Sequence, residues 1–432
     1  MHGSLSNYLQ RTLGGVSVVY GAGVGLGFAA QVLLTRLLGV AEYGNYYFVF
    51  AWLMALLVLA KFGLDSTLLR FVPAYMAQQK WGLMRGIMRW SAQRAGLAAL
   101  GTSIILGFIV IWQDDMHPSL AQTFYIGCLM IPVLAYMYLR AALLRSLKHV
   151  VLALLPEAVI APVVLGMTIL LIASIFNSTL TSVHAMTATL VGFVFSTGVG
   201  HRLLKMRLPG LLLEHPHSLD SHIWFHSARS MLLITGAHAL LNNTDAIMLG
   251  LLEDARSVGI YAVAAKCAIL VSFPLTITNS TIAPLISQFH ATKDHSQLQH
   301  ALDHSMRLVN LASVAAFAGI VLFGEWFLAV FGDDFRSGIA ALRILAFGAL
   351  VNALAGPVAN LLSLTGSEDY VSRVMVATTL LNIVLNLVLI PIWGIEGAAS
   401  ATAASMVIWN FLMYGAARKR LGVTPNRLLS RL

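Results

Sequence analysis

The chain has 432 residues, 58% of them hydrophobic and only 10% charged, with a mean hydropathy of +0.80 and a formal net charge of +9. Its longest hydrophilic stretches, about 65–94, 204–227 and 284–307, fall short of the ~50 residues a globular domain usually needs. A soluble catalytic domain is therefore excluded, no G-x-x-x-x-G-K-[ST] nucleotide loop occurs, and neither enzymatic activity nor a cofactor is expected.

Apolar runs recur from end to end. A run of ~20 apolar residues crosses the ~30 Å hydrocarbon core as a helix, and these runs are too long for barrel strands. Twelve spans are predicted, at 14–37, 45–64, 95–112, 123–144, 151–175, 185–203, 228–252, 258–283, 308–331, 339–364, 374–393 and 398–416. The fold class is an all-α polytopic membrane protein. The first span reads as a retained helix and not a removable signal peptide, being longer than an ordinary h-region with only Arg11 before it. It carries Gly21, Gly23, Gly25 and Gly27, at small-xxx-small spacing that serves close packing or bending. No strand precedes them, so they are not a nucleotide fingerprint. Arg36 lies near the outer end of this span, and Lys61 and Asp65 lie at the end of the second. Segment 68–94 mixes Leu69, Phe71, Trp81 and Trp90 with Arg85, Arg89 and Arg94, a pattern suited to an anionic membrane surface. Loop 113–122 brings Asp114 and Asp115 to the outer side.

Glu157 stands between Pro156 and Pro162 in the fifth span, where the backbone ladder is broken. It reads as a cation site or as an interface residue at a kink. Arg229 and Asp245 fall in the seventh span and Lys266 in the eighth. Cys128 and Cys267 sit in spans of different halves and read as free, packed thiols. The histidines cluster at 215–226 and 290–304 without Cys or carboxylate at ligand spacing, so no metal is expected.

Orientation follows from the basic residues, which concentrate in cytoplasmic loops. With the N terminus inside, twenty of the 27 fall on the inner side: Arg11; Arg70, Lys80, Arg85, Arg89 and Arg94; Arg140, Arg145 and Lys148; Arg202, Lys205 and Arg207; Lys293 and Arg307; Arg373; and Arg418, Lys419, Arg420, Arg427 and Arg431. Only Arg36, Arg256, Arg336 and Arg343 fall outside. Both termini are expected in the cytoplasm, which an even number of spans requires. This distribution accounts for the positive charge without a nucleic-acid partner.

The halves echo one another. Leu38-Gly39 and Tyr43-Gly44-Asn45-Tyr46 correspond to Leu249-Gly250 and Val258-Gly259-Ile260-Tyr261. Ala185-Met186-Thr187-Ala188-Thr189 corresponds to Ala398-Ala399-Ser400-Ala401-Thr402. Six spans per repeat give both copies the same orientation, the parallel-repeat arrangement in which a substrate site lies between halves. The expected organisation is a six-helix bundle at 1–207, a cytoplasmic linker at 208–227, a second bundle at 228–417 and a basic tail at 418–432.

Buried ionisable groups in a membrane are costly and mark function unless paired or snorkelling. Lys266, Lys61, Arg229 and Arg36 are the candidate anion-binding cations. Asp245, Asp65 and Glu157 are the candidate ion-coupling or gating acids. Antiparallel neighbours would bring Asp245 and Lys266 to similar depth, where an ion pair is expected; a polar contact of Asp245 with Asn242 and Asn243 is the alternative.

The set Leu34-Thr35-Arg36-Leu37-Leu38-Gly39, Tyr43-Gly44-Asn45-Tyr46, Phe62-Gly63-Leu64, Asn243-Thr244-Asp245-Ala246-Ile247-Met248-Leu249-Gly250, Gly356-Pro357, Thr365-Gly366 and Leu389-Ile390-Pro391-Ile392-Trp393-Gly394-Ile395-Glu396-Gly397 resembles the polysaccharide-exporter branch of the multidrug/oligosaccharidyl-lipid/polysaccharide (MOP) flippase superfamily. It is most similar to Wzx-type O-antigen flippases; lipid II flippases of the MurJ type commonly carry two further C-terminal helices and fit less well. The resemblance implies a MATE-like fold and translocation of an undecaprenyl-pyrophosphate-linked oligosaccharide across a bacterial inner membrane. It implies lipid-linked oligosaccharide and membrane lipids as partners, alongside polysaccharide polymerase and chain-length machinery, and a helix 1 glycine run flanking a lateral portal. A cation-coupled small-molecule antiporter of the MATE branch is the alternative.

Overall fold

The computed structural model describes residues 2–113, 116–175, 180–210, 216–291 and 294–426. Asp114, Asp115, His215, Lys293, Arg427 and Arg431 lie outside the described residues, as do the side chains of Arg11, His290 and His295.

Among the described residues the structure is helical throughout, with nine stretches long and apolar enough to cross a membrane. Two of the nine are bent pairs. The first breaks at Gly39 (φ 74°, ψ 175°), separating α1 (2–38) from α2 (40–61). The last breaks at Gly394 (φ 56°, ψ −126°), separating α13 (368–393) from α14 (395–421). Both breaks need positive φ, which glycine alone adopts without a Cβ penalty. Between them run α3 (Leu64–Ala77), α4 (Trp81–Trp112), α5 (Pro118–Ser146), α6 (Val150–Ile175), α7 (Ser182–Arg207), α8 (Ser221–Leu252), α9 (Ala255–Ala291), α10 (His295–Phe331), α11 (Ile339–Ala355) and α12 (Val358–Leu364).

Three departures from the sequence reading have local causes. The tenth predicted span, 339–364, is two helices, because Gly356 (φ 81°) and Pro357 end α11 before α12 begins. The polar stretch after Lys61 is helical and packed: Leu64, Leu68, Val72 and Tyr75 of α3 join Met84, Ile87 and Trp90 of α4 and Trp224 of α8 in one apolar cluster. Arg140, counted with the inner-side cations at the end of the span 123–144, is fully buried within α5.

Contacts divide the chain into two compact units, Met1–Ala239 and Leu240–Leu432. Residues 221–239 of α8 thus belong with the first unit. Trp224 explains this locally: its indole packs at a tilt against Trp90, with centroids 5.6 Å apart, and its Nε1 donates to the Tyr75 hydroxyl at 2.9 Å. In the second unit the core comprises α12, α13 and α14 around Val358, Leu362, Met375 and Met413, with a second cluster joining Ile282 and Ile286 to Leu298 and Leu302. Large apolar side chains elsewhere are turned outward, as lipid-facing surfaces require; Ile104, Leu322 and Phe411 are 69%, 73% and 79% exposed. Cys128 and Cys267 are buried free thiols.

Candidate functional site

Two polar constellations stand out, one in each unit. In the second unit Asp245 is 5% exposed. It receives three side-chain hydrogen bonds: from Tyr261 Oη (2.5 Å) on α9, Asn386 Nδ2 (2.7 Å) on α13 and Thr402 Oγ1 (2.5 Å) on α14. Asn386 Nδ2 also reaches Asn382 Oδ1 at 3.1 Å, and Asn382 Nδ2 donates to Thr402 Oγ1 at 3.3 Å. Four helices thereby converge on one carboxylate. Asn386 Oδ1 is buried and accepts no hydrogen bond. A buried carboxylate held by three neutral donors, with no cation beside it among the described residues, is chemically suited to taking up a proton.

The expected Asp245–Lys266 ion pair is not formed. Neutral donors reach the carboxylate instead, and among the described residues Lys266 enters no salt bridge. Lys266 is exposed on α9.

The repeat is visible in this chemistry. Tyr46 and Thr189 in the first unit correspond to Tyr261 and Thr402, and their hydroxyls meet directly at 3.1 Å. In the second unit both hydroxyls turn to Asp245. Through the Leu38-Gly39 and Leu249-Gly250 echo, the counterpart of Asp245 is Leu34, a buried apolar residue. The acid is thus an asymmetric insertion into a repeated tyrosine–threonine bridge.

In the first unit three candidates share one charge cluster. Lys61 Nζ contacts Asp65 Oδ2 at 3.0 Å, one helical turn on and across the α2–α3 break, and lies 4.4 Å above the Tyr138 ring. Both side chains are largely enclosed, at 15% and 13% exposure. Glu157 lies within a π-helical turn, Pro156–Ile160, of α6. Such turns recur at functional sites. Proline supplies no amide proton to the ladder, and the Pro156 carbonyl accepts from Ser196 Oγ at 2.6 Å. Glu157 Oε1 is 3.8 Å from Arg140 Nη2, while Lys61 and Arg145 stand within electrostatic reach.

Arg140 is the residue that sequence reasoning missed. Its side chain is 0% exposed, and none of its guanidinium nitrogens makes a hydrogen bond. It lies over Gly200 of α7, where a Cβ would overlap the guanidinium. One turn earlier Tyr136 Oη meets His201 Nδ1 at 2.5 Å, so α5 grips α7 through two adjacent residues. Asn382 and Asn386 were also missed, although two asparagines four apart in an apolar run were the available signal.

The remaining candidates are more dispersed. Arg229 and Arg36 are exposed. Gly23 packs on the π turn, where a Cβ would come 2.6 Å from Ala158 Cβ, whereas Gly21, Gly25 and Gly27 have open space. All four stay helical within α1. No group of three or more His, Cys, Asp or Glu placed to hold a metal occurs among the described residues.

Comparisons agree with this architecture. Residues 13–290 match the family model described as polysaccharide biosynthesis protein, and residues 232–388 match the MatE model. The "Probable flippase AglR" of Haloferax volcanii is 31% identical over 185 residues, which are 42% of this chain and 39% of that protein. The chain thus spans about two fifths of the length of that curated relative. An inward-facing multidrug resistance MATE transporter of the MOP superfamily superposes with TM-score 0.75 at 12% identity, covering 92% of this chain and 94% of the other. The lipid II flippase MurJ in an inward closed conformation gives 0.70 at 14% identity, over 93% and 87%. At these identities the likeness is one of fold. The family match spans more than half of the sequence, and the chain belongs to the polysaccharide biosynthesis protein family, with the MATE-like, multi-pass fold of the MOP superfamily.

Proposed function

We propose that this protein is a transporter and not an enzyme, and that it flips an undecaprenyl-pyrophosphate-linked oligosaccharide from the inner to the outer leaflet of a bacterial inner membrane. The observation that carries the reading is Lys266: a lysine in a membrane-crossing helix, in a chain of this family, with no acidic partner among the described residues. An uncompensated cation at that depth is expensive unless an anion uses it, and a pyrophosphate supplies the anion. The flippase name of the Haloferax relative supports the same direction.

In this reading the two six-helix halves, expected at 1–207 and 228–417, give the substrate alternating access to the two leaflets, with both termini cytoplasmic. Lys266 meets the pyrophosphate–sugar head. Lys61, Arg229 and Arg36 serve as further anion contacts, Lys61 only after release from Asp65. Glu157 and Asp65 act as gating acids through their pairing with Arg140 and Lys61. Asp245, with the neutral donors that hold it, forms the ion-coupling element. The glycine face of α1 flanks the lipid portal. Polymerase and chain-length machinery are the downstream partners. The Asp245 cluster also favours a second reading, a cation-coupled antiporter of the MATE branch.

The test is glycan export in a deletion strain complemented with Lys266→Ala at verified expression. Loss of surface glycan with lipid-linked oligosaccharide retained inside is the expected result. Full export by the inserted variant removes Lys266 from the mechanism. Intact glycan in the deletion strain, with raised drug sensitivity, replaces the flippase by the antiporter.

A further inference from the structure

A recess of 560 Å³ opens in the first unit at the polar end of α4, within the segment 68–94 whose basic and aromatic residues suit an anionic membrane surface. It is lined by Arg89, Trp90, Gln93 and Arg94 of α4 and by His217 and Leu219 of the segment leading into α8. That segment is fixed in place. Ser218 N donates to Gly82 O at 3.0 Å, Gly86 leaves no room for a Cβ beside the Ser218 carbonyl, and Trp224 is buried behind it. The recess is therefore built by packing and is not a gap between loose ends.

Its chemistry has one sign. Two arginines contribute, and among the described residues no carboxylate lines it; the neighbouring Asp220 is not among its walls. Arg89 Nη1 donates to His217 Nδ1 at 3.4 Å, which leaves the ring's other nitrogen as a donor. Arg94 enters no salt bridge among the described residues. Guanidinium forks with a further N–H donor suit phosphate oxygens. The volume lies in the range of small-ligand sites.

A second observation names the kind of phosphate. From Gln93 the exposed face of α4 continues through Leu97, Leu100, Ile104, Phe108 and Ile111, at steps of three or four residues. These residues form one outward apolar stripe that begins at the recess and runs down the membrane-crossing part of the helix. A molecule with a phosphate head and hydrocarbon tails fills both features; a soluble phosphate fills only the first. The inner-side excess of Lys and Arg assigns this end of α4 to the cytoplasmic leaflet, where basic pockets between helices hold anionic headgroups.

We infer that Arg89, Arg94 and His217 form a binding site for the phosphate of an anionic membrane lipid, whose tails lie along α4. The site is independent of the translocation reading, because its readout is lipid retention and not export. Full-length protein in neutral detergent is titrated with phosphatidylglycerol or phosphatidylcholine, and retained lipid is counted by native mass spectrometry. The expected result is preferential retention of phosphatidylglycerol, reduced roughly tenfold or more by Arg89→Gln with Arg94→Gln. Arg418→Gln with Lys419→Gln, which removes equal charge elsewhere on the expected inner face, should leave retention unchanged. Both arginines of the site are exposed, so folding is not at stake. Competition identifies the source: a polyprenyl diphosphate that displaces phosphatidylglycerol assigns the site to diphosphate lipids, and one that does not assigns it to resident phospholipid. Equal retention by the Arg89/Arg94 variant, or displacement by inorganic pyrophosphate at the same concentration as by either lipid, overturns the proposal.

Discussion

Gly200→Ala is the sharpest probe of the first unit. The added Cβ would fall inside the Arg140 guanidinium. A guanidinium ordinarily swings aside at little cost, since it ends a flexible side chain. Here it is 0% exposed, with Glu157 as its ion-pair partner and α7 beneath it. Overpacking a filled site costs about 1–3 kcal/mol. Breaking a buried pair costs about 3–5 kcal/mol, but Glu157 is 23% exposed and 3.8 Å away, so only part of that applies. The expected penalty is about 2–4 kcal/mol. It is read as a lowered thermal midpoint of the detergent-purified protein and as reduced yield in the membrane. Arg140→Leu alone also destabilises, by removing the counter-ion of Glu157. The two changes should not add: in the Arg140→Leu background, Gly200→Ala meets no guanidinium and costs little. A midpoint for Gly200→Ala equal to wild type, or strictly additive effects in the double variant, would refute the packing of Arg140 over Gly200.

Two further predictions separate neighbouring positions that look alike in sequence. Gly23→Ala should destabilise by about 1–3 kcal/mol, because its Cβ meets Ala158, while Gly25→Ala should be neutral or stabilise by up to about 1 kcal/mol through helix propensity; thermal midpoints of the two variants check the order. Tyr261→Phe withdraws a donor from the Asp245 carboxylate, worth about 1.5–3 kcal/mol, whereas Tyr46→Phe removes a hydroxyl–hydroxyl contact worth about 0.5–1.5 kcal/mol. Equal losses in thermal stability for the tyrosine pair would mean that Asp245 is not held as the structure shows.

Much of the architecture was legible in the chain itself. Length and continuity of apolar runs follow from the bilayer thickness and from the need to satisfy every backbone group, so most crossing segments could be located in the sequence, though not their ends. Gly39 and Gly394 mark the breaks because positive φ is a local requirement. The echoes of Tyr46 in Tyr261 and of Thr189 in Thr402 announced the repeat, and the structure bonds the first pair to each other and both members of the second to Asp245. The pairing of Lys61 with Asp65 was within reach too, since the partners are four residues apart.

Partnership at long range was decided only by the tertiary structure. The three groups that hold Asp245 lie 16, 141 and 157 residues away, and helical periodicity says which face a residue is on, never which face of which helix it meets. Depth alone suggested Lys266; packing gave the carboxylate to Tyr261, Asn386 and Thr402 instead. Arg140 shows the same limit. Charge counting grouped it with the inner-side cations, because a basic residue near the end of an apolar run usually reaches water. Gly200, some sixty positions on, leaves the space into which it turns, and a space of that kind exists only once the helices are packed.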